Sequence, residues 1–328
     1  MKKIVWIFCC LLPLFGYGQH HEETIVKEDV ISYVHPIIGA STSTEAGKSG
    51  HGLGKTFPGS ATPFGLVQLS PDTKTGGDNA PGYSWHHKTI EGFSFIHMSG
   101  TGWYGDFGNF LVMPNTGGLH TNSGFENKPE SGYRSRYSHD NEVSKLGYYA
   151  VNLDDYNIRT ELTSLPHSGI MRMTFPTGDS SRISIDLARR IGGSSSEQYI
   201  KVVNDTTIQG WMRCSSKDGG WGNGDGHVNY TVYFWCQISK PFCKYGVWSA
   251  NVSQHFKQRN RNAIETDEFQ KIVSNADILH GCREKQGEHL GFFTEFQTKA
   301  NEQVLLKAGI SFVSMEGARK NIEAEMPD

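Results

Sequence analysis

Alternation of apolar and other side chains is the most regular pattern in the chain. Its clearest example is HVNYTVYFWCQIS at residues 227–239, where every second side chain is apolar. Because successive side chains of a strand point to opposite faces, this alternation predicts a long strand with one buried face. The predicted buried face consists of Val228, Tyr230, Val232, Phe234, Cys236 and Ile238.

Further runs rich in β-formers follow, and turn sequences separate them. Examples of such turns are FPTGDS at 175–180 and NDTT at 204–207. So many strands without helical periodicity between them predict an all-β fold, a large antiparallel β-sandwich. The predicted strands are Tyr149–Leu153, Ile158–Leu162, Ile170–Phe175, Ile183–Leu187, Ile208–Met212, Phe292–Phe296 and Val304–Phe312.

The last residues change to a helical period. Met315, Ala318, Ile322 and Met326 recur every three to four positions among good helix formers, which predicts an amphipathic helix. Such a helix needs an apolar surface against its stripe. We therefore expect the native protein to continue after Asp328, with residues 313–328 as the start of a helical linker.

The first eighteen residues, MKKIVWIFCCLLPLFGYG, place two lysines before a short apolar run that ends in small residues. This is the layout of a secretory signal peptide, and the run is too short to span a bilayer. We predict a signal peptide at residues 1–18 and an exported protein, periplasmic or extracellular. Export permits disulfides among the remaining cysteines, with free thiols as the alternative. These cysteines are Cys214, Cys236, Cys243 and Cys282.

Charge narrows the class of partner. The formal net charge of -3 provides no basic field for nucleic acid or for an anionic membrane surface, so a neutral ligand is favoured. Aromatic residues make up 12% of the chain and glycines number 38, a composition that favours strands and turns.

The segment from His35 to Pro114 is dense in glycine and proline and departs from strand alternation. Within it, GFSFIHMSGTGWYGDFGNFLVMP at residues 92–114 mixes a histidine, hydroxyls, a tryptophan and an aspartate between apolar flanks. A buried strand excludes this mixture, and a flexible linker would not carry the aromatic residues. Segments of this kind commonly carry binding groups, and a loop that covers a sheet edge is the alternative.

Three blocks resemble the N-terminal domain of the glycoside hydrolase family 92 α-mannosidases. They are TFPGSATPFGLVQLSPDT, GYSWHHKTIEGFSFIHMSGTGWYGDFGNFLVMP and YRSRYSHDNEVSKLGYYAVNLDDYNIRTELTS. The resemblance implies that residues 19–312 form a β-sandwich of the galactose-mutarotase-like, supersandwich type, followed natively by an (α/α)6 catalytic domain. It also implies that the whole protein removes terminal α-linked mannose from glycans by inversion, with a bound calcium ion.

Under this resemblance, the loop within residues 92–114 faces the sugar. Hydroxyls and a carboxylate can hydrogen-bond sugar hydroxyls, and a tryptophan offers an apolar face. The alternative is that His97 and Asp106 only satisfy the backbone of the loop. Many family members have a tryptophan where this chain has Gly77, so the preferred linkage stays open. The substrate-binding candidates are His97, Ser99, Thr101, Trp103, Asp106, Asp78 and Trp85.

The resemblance assigns no reacting group to this chain. Inverting hydrolysis needs one carboxylic acid and one carboxylate base, about 6.5–9.5 Å apart. In the family, both of them and most calcium ligands belong to the catalytic domain. We therefore predict no catalytic residue and no metal ligand here, and no turnover by this polypeptide alone. A free-standing carbohydrate-binding protein and a scaffold domain without a sugar site are the alternatives.

Overall fold

The computed structural model describes residues 29–40, 55–73, 81–99, 106–191, 193–219, 228–257 and 266–327. The predicted signal peptide lies outside these ranges, as do Asp78, Thr101 and Trp103. Val30–Tyr33 is a short 3-10 helix in a first unit, and residues 34–328 form the second unit.

Strands make up most of the second unit. The first eleven are β1 (Ser60–Ala61), β2 (Gln68–Asp72), β3 (Thr89–Ile90), β4 (Gly92–Ser94), β5 (Leu111–Thr116), β6 (Ser135–Arg136), β7 (Val143–Lys145), β8 (Tyr148–Leu153), β9 (Ile158–Ser164), β10 (Ser168–Phe175) and β11 (Gly178–Asp186). The following ones are β12 (Arg189–Arg190), β13 (Gly193–Ser194), β14 (Glu197–Val202), β15 (Thr207–Cys214), β16 (Tyr230–Ile238), β17 (Lys244–Ser249), β18 (Asp277–His280), β19 (Glu284–Gly287), β20 (Leu290–Thr298) and β21 (Glu302–Ser311).

Helices are few among the described residues. The α-helices are α1 (Gln254–Lys257), α2 (Asp267–Ser274) and α3 (Met315–Glu325). Short 3-10 helices of the second unit are Pro129–Ser131, His139–Asn141 and Ser216–Asp218.

Two large sheets contain most of the strands, and their strand pairs are antiparallel. An eight-stranded sheet has the order β1-β2-β4-β5-β11-β20-β17-β18. A nine-stranded sheet has the order β19-β14-β15-β16-β21-β10-β9-β8-β7. The predicted antiparallel all-β architecture is confirmed.

The core lies where the two sheets meet. One apolar cluster joins Val112, Ile183 and Phe292 of the eight-stranded sheet to Val232 and Leu306 of the nine-stranded sheet. A cluster shared by two sheets is what defines a β-sandwich.

Strand β16 confirms the predicted alternation, with a later start. It begins at Tyr230, and its inward side chains from Val232 to Ile238 are buried. Val228 lies before the strand and is exposed, so the buried face is shorter than predicted.

Helix α3 forms where the sequence predicts it, but its apolar stripe already has a partner. Ala318 and Ile322 are buried, and the helix packs on β21 and β16. Gly309 permits this packing, because a Cβ there would lie 2.1 Å from the Ala318 carbonyl oxygen. The sheet of the same chain therefore covers Ala318 and Ile322, whereas Met315 and Met326 at the two ends of the stripe are half-buried.

The described cysteines are free thiols. Cys214 and Cys236 are buried in the sandwich, whereas Cys243 is exposed and Cys282 is half-buried. The alternative of free thiols is therefore the one found. Among the described helices, none combines the length and hydropathy that a bilayer crossing requires.

Candidate functional site

The loop of residues 97–107 leaves the eight-stranded sheet after β4 and returns to it before β5. Two backbone hydrogen bonds close its base, from Phe95 N to Asn109 O at 3.3 Å and from Gly108 N to Ile96 O at 2.8 Å. Its residues 100–105 lie outside the described ranges, so nothing is stated of Thr101 and Trp103. Ser99 is exposed. The base of the loop is therefore fixed by the flanking backbone.

His97 lies at one side of this base and is buried, with only 2% of its surface exposed. Its Nδ1 contacts the Gln68 carbonyl oxygen at 2.6 Å, and its Nε2 lies 3.1 Å from Asp72 Oδ1. Ser94 Oγ donates to Asp72 Oδ2 at 2.5 Å. Both ring nitrogens therefore have partners within the protein.

Asp72 extends this contact into a buried network of charges. Arg189 lies between Asp72 at 3.3 Å and Glu91 at 3.2 Å, and Arg134 lies 2.6 Å from Glu91. Burial acts to lower the pKa of the Arg189 guanidinium, but the carboxylates of Asp72 and Glu91 outweigh burial and raise it. The carboxylates and guanidinium groups of this network are thus mutually neutralised.

Asp106 lies at the other side of the loop base and is also buried. Arg190 donates to both of its oxygens, at 2.6 and 2.8 Å. The hydroxyl of Tyr230 donates to the same carboxylate at 2.7 Å, and so does Phe107 N. Burial raises the pKa of the Tyr230 hydroxyl well above its ordinary value, so Tyr230 stays a donor.

The backbone after Asp106 adopts an uncommon conformation. Phe107 and Gly108 have positive φ angles of 68° and 70°. A Cβ on Gly108 would lie 2.1 Å from Arg189 Nη1. A glycine at this position therefore allows both the left-handed turn and the close approach of the buried arginine.

Trp85 is placed differently, because 36% of its surface is exposed. Its indole stacks on the His139 imidazole, with ring centroids 3.5 Å apart and planes 7° apart. His139 Nε2 contacts the Trp85 carbonyl oxygen at 2.9 Å, and His139 Nδ1 contacts Glu142 Oε2 at 2.6 Å.

Glu142 anchors this group from inside the domain. The hydroxyl of Tyr83 donates to Glu142 Oε1 at 2.9 Å, and that of Tyr149 donates to the same oxygen at 2.6 Å. Burial raises the pKa of both hydroxyls far above the ordinary range, which keeps them protonated as donors.

The predicted substrate-binding residues therefore separate into three groups. His97 and Asp106 are buried, and the partners named above lie mainly outside the loop, such as the Gln68 carbonyl oxygen for His97 and Arg190 for Asp106. Ser99 and Trp85 are exposed. Asp78, Thr101 and Trp103 lie outside the described residues. Contact of any of them with sugar stays a prediction.

Several residues of the site were missed by sequence reasoning. The signal that was present is the pair of adjacent arginines in LARRIGG, directly after the predicted strand Ile183–Leu187. Two adjacent arginines that follow a buried strand are expected to be buried too, and a buried charge is stable only when it is paired with an anion. The missed residues are Asp72, Glu91, Arg134, His139, Glu142, Arg189, Arg190 and Tyr230.

A metal ion finds no set of ligands in the part of the chain that the structure describes. No group of three or more His, Cys, Asp or Glu side chains suited to a metal occurs there. The calcium ion that the family resemblance implies therefore has no such group of ligands among the described residues.

Comparison with known proteins identifies the family. The sequence profile of the glycosyl hydrolase family 92 N-terminal domain matches residues 33–311. An uncharacterized secreted glycosidase of Arthroderma benhamiae is 24% identical over 339 residues, which cover 100% of this chain and 39% of that protein.

A solved structure supports the same family assignment. A family GH92 α-mannosidase from Bacteroides thetaiotaomicron is 34% identical, with a TM-score of 0.73, over 90% of this chain and 35% of that chain. A structure of the same enzyme in complex with mannoimidazole matches with the same TM-score of 0.73 and the same 34% identity, over 90% of this chain and 34% of that chain.

The chain thus spans little more than a third of the length of these relatives, 39% and 35%. The family profile nevertheless extends through both sheets, from residue 33 to residue 311. The chain therefore belongs to glycosyl hydrolase family 92 and carries the N-terminal domain of that family.

Proposed function

We propose that this chain is part of an exported, calcium-dependent exo-α-mannosidase that releases terminal mannose from glycans by inversion. The observation that carries the proposal is the 34% identity to an α-mannosidase over 90% of the chain. The layout of residues 1–18 and the name of the curated relative, a secreted glycosidase, support export.

The sandwich domain contributes binding surface in this proposal, and not the reacting groups. Asp72, Glu91 and Asp106 are buried, and each contacts a buried arginine. A carboxylate that is shielded from solvent and paired within the protein cannot activate a water molecule. We therefore assign the acid, the base and the calcium ion to the catalytic domain that the family resemblance implies.

Hydrolysis of α-mannobiose by the full-length protein and by this 328-residue chain tests the proposal. We expect the full-length protein to release mannose, first as the β-anomer in an NMR time course, and to lose activity in EDTA. We expect no release by the chain alone. Mannose release by the chain alone would refute the division of labour, and inactivity of the full-length protein on α-mannosides would refute the activity.

Carbohydrate binding without hydrolysis is a second candidate. The exposed and well-supported indole of Trp85 favours it, because aromatic faces bind the apolar faces of sugars. Calorimetric titration of the full-length protein with α-mannobiose distinguishes the two, since this candidate requires binding heat and no product.

A further inference from the structure

Phe64 is a fully exposed aromatic residue in a tight turn. Gly65 N donates to the Thr62 carbonyl oxygen at 3.0 Å, so Pro63 and Phe64 are the two central residues of the turn. The φ angle of Phe64 is positive, at 58°. A turn residue with positive φ is usually glycine or asparagine, because a bulky side chain is strained in that conformation. The backbone of the turn therefore does not explain why an aromatic side chain stands there.

The segment after Phe64 is held against the turn between β9 and β10. Leu66 N and Val67 N both donate to the Pro166 carbonyl oxygen, at 2.6 and 3.1 Å. The phenyl ring is thus presented to solvent from backbone that is already fixed, which lowers the entropic cost of binding a partner. Covering the ring would also remove apolar surface from water.

The same β9–β10 turn fixes the end of helix α3. Glu325 accepts hydrogen bonds from His167 N at 2.9 Å and from Ser168 Oγ at 2.5 Å, and its Oε1 lies 2.7 Å from His167 Nδ1. Lys307 Nζ donates to the Met326 carbonyl oxygen at 3.3 Å. Phe64 and the end of α3 are therefore positioned by one turn, residues 165–167.

A groove on the nine-stranded sheet starts at this turn and has a volume of about 750 Å³. Its apolar lining includes Leu165, Ile170, Leu305 and Met326. An apolar groove beside a fully exposed aromatic residue is typical of a surface that a partner covers. We call these four residues, together with Phe64, the exit surface.

The position of the exit surface identifies its partner. Pro327, the last of the described residues, also lines the groove. The matched family domain is N-terminal, and the chain covers only 39% and 35% of its relatives. We propose that the exit surface is the docking site for the remainder of the full-length protein, beyond residue 328, and that Phe64 is the apolar anchor of that contact. The identity of the remainder as a catalytic domain rests on the proposed function, whereas the readouts of docking do not depend on hydrolysis.

Maleimide labelling of Phe64→Cys in the native full-length protein tests the docking. The sandwich alone leaves this position fully exposed, so without docking the thiol should react as fast as in the urea-unfolded protein. We expect labelling about tenfold slower in the native protein, which corresponds to a docked state favoured by ~1.4 kcal/mol. Mass spectrometry of the peptides separates position 64 from the native cysteines.

Leu279→Cys is the matched control for the labelling. Leu279 is 37% exposed on β18, at the opposite edge of the eight-stranded sheet from β1. Its labelling should be slowed much less than that of Phe64→Cys. Equal labelling rates of Phe64→Cys in the native and unfolded protein would overturn the docking, and equal slowing at both positions would overturn the anchor. Slowing that disappears on dilution would assign the surface to a second copy of the protein and would overturn the proposed partner.

The melting temperature of the full-length protein separates strain from docking. Phe64→Gly relieves the left-handed strain and also removes the anchor, and only the second effect destabilises the protein. We expect the loss of the anchor to dominate and to lower the melting temperature by about 2–4 °C. Asn157→Gly is the control, because Asn157 is exposed, has a φ angle of 51° and lies at the other end of β9. A melting temperature of Phe64→Gly no lower than that of Asn157→Gly would overturn the anchor.

The outcomes separate this inference from the proposed function. If Phe64→Cys is protected in the native protein but α-mannobiose is not cleaved, the docking stands and the activity is refuted. If α-mannobiose is cleaved while Phe64→Cys labels at the rate of the unfolded protein, the docking is refuted and the activity stands.

Discussion

Two sets of ion pairs in this chain lie in opposite surroundings. At the base of the 97–107 loop, Arg189 and Arg190 have 3% and 0% of their side chains exposed. On the solvent face of the nine-stranded sheet, the Arg172 side chain that pairs with Glu161 is 46% exposed. The first set is shielded from water and salt, and the second is not.

The two sets also differ in what they connect. Arg172 and Glu161 lie directly opposite each other in the β10–β9 register, where the strand ladder already fixes the backbone. Arg190 and Asp106 are 84 residues apart and join segments that no shared ladder holds. The buried Arg190–Asp106 pair therefore fixes irregular backbone, whereas the exposed Arg172–Glu161 pair lies on backbone that the strand ladder already fixes.

Arg190→Met should cause the largest loss, because it leaves the Asp106 carboxylate buried without its bidentate partner. We expect the free energy of unfolding to fall by about 3–5 kcal/mol. Urea unfolding of the second unit, followed by tryptophan fluorescence, measures it. A loss no larger than that of Arg172→Met would contradict the comparison.

Gly108→Ala should cause the second-largest loss of unfolding free energy. The substitution forces a Cβ into a left-handed conformation and to within 2.1 Å of the pinned Arg189 guanidinium, so we expect a loss of about 1–3 kcal/mol. Gly117→Ala is the matched control, since its φ is also positive at 83° but a Cβ there meets nothing within 4 Å. Equal losses in urea unfolding would show that the approach of the arginine costs nothing.

Arg172→Met should have a small effect on the free energy of unfolding. The pair is exposed, so solvent screens it, and we expect a loss of about 0.2–1 kcal/mol. Raising the salt concentration should shrink this difference from the wild type. A loss that grows with salt would contradict the screening argument.

The smallest effect should be the pH dependence of the difference in unfolding free energy between the wild type and Arg172→Met. The hydrogen bond from Arg172 lowers the pKa of Glu161, so the folded state favours the carboxylate. This contribution is present above the unfolded pKa of Glu161 and is lost as pH falls through the lowered folded value. The free energies of unfolding of the wild type and Arg172→Met should therefore differ at pH 7 and converge in acid. A difference that persists in acid would show that it does not come from the Arg172–Glu161 hydrogen bond.

Regular strands were predictable because the alternation of apolar and polar side chains lies within each strand's own sequence. The alternation at β16 and β9 fixes which side chains face inward, and the structure confirms both strands within a few residues. Strand β2, QLSPD, was not predicted, because the run is short and Pro71 has no backbone N–H to donate to a neighbouring strand. Helix α3 was predicted from its stripe, but its covering surface was not.

The site was predictable only in outline. His97 and Asp106 stand out in the sequence as polar groups between apolar flanks, and the structure places both at the base of one loop. Their partners could not be inferred, since Asp106 and Arg190 are 84 residues apart and pattern arguments do not reach that distance. Nor does sequence reveal which ring stacks on Trp85.

One end of the 97–107 loop is fastened to β2 through His97, and the other reaches β16 through the bond from Tyr230 to Asp106. These strands belong to different sheets. Any sliding of one sheet over the other would therefore pull the loop ends in different directions. A core substitution that shifts one sheet relative to the other should therefore change the contacts of His97 and Asp106, at the two described ends of this loop.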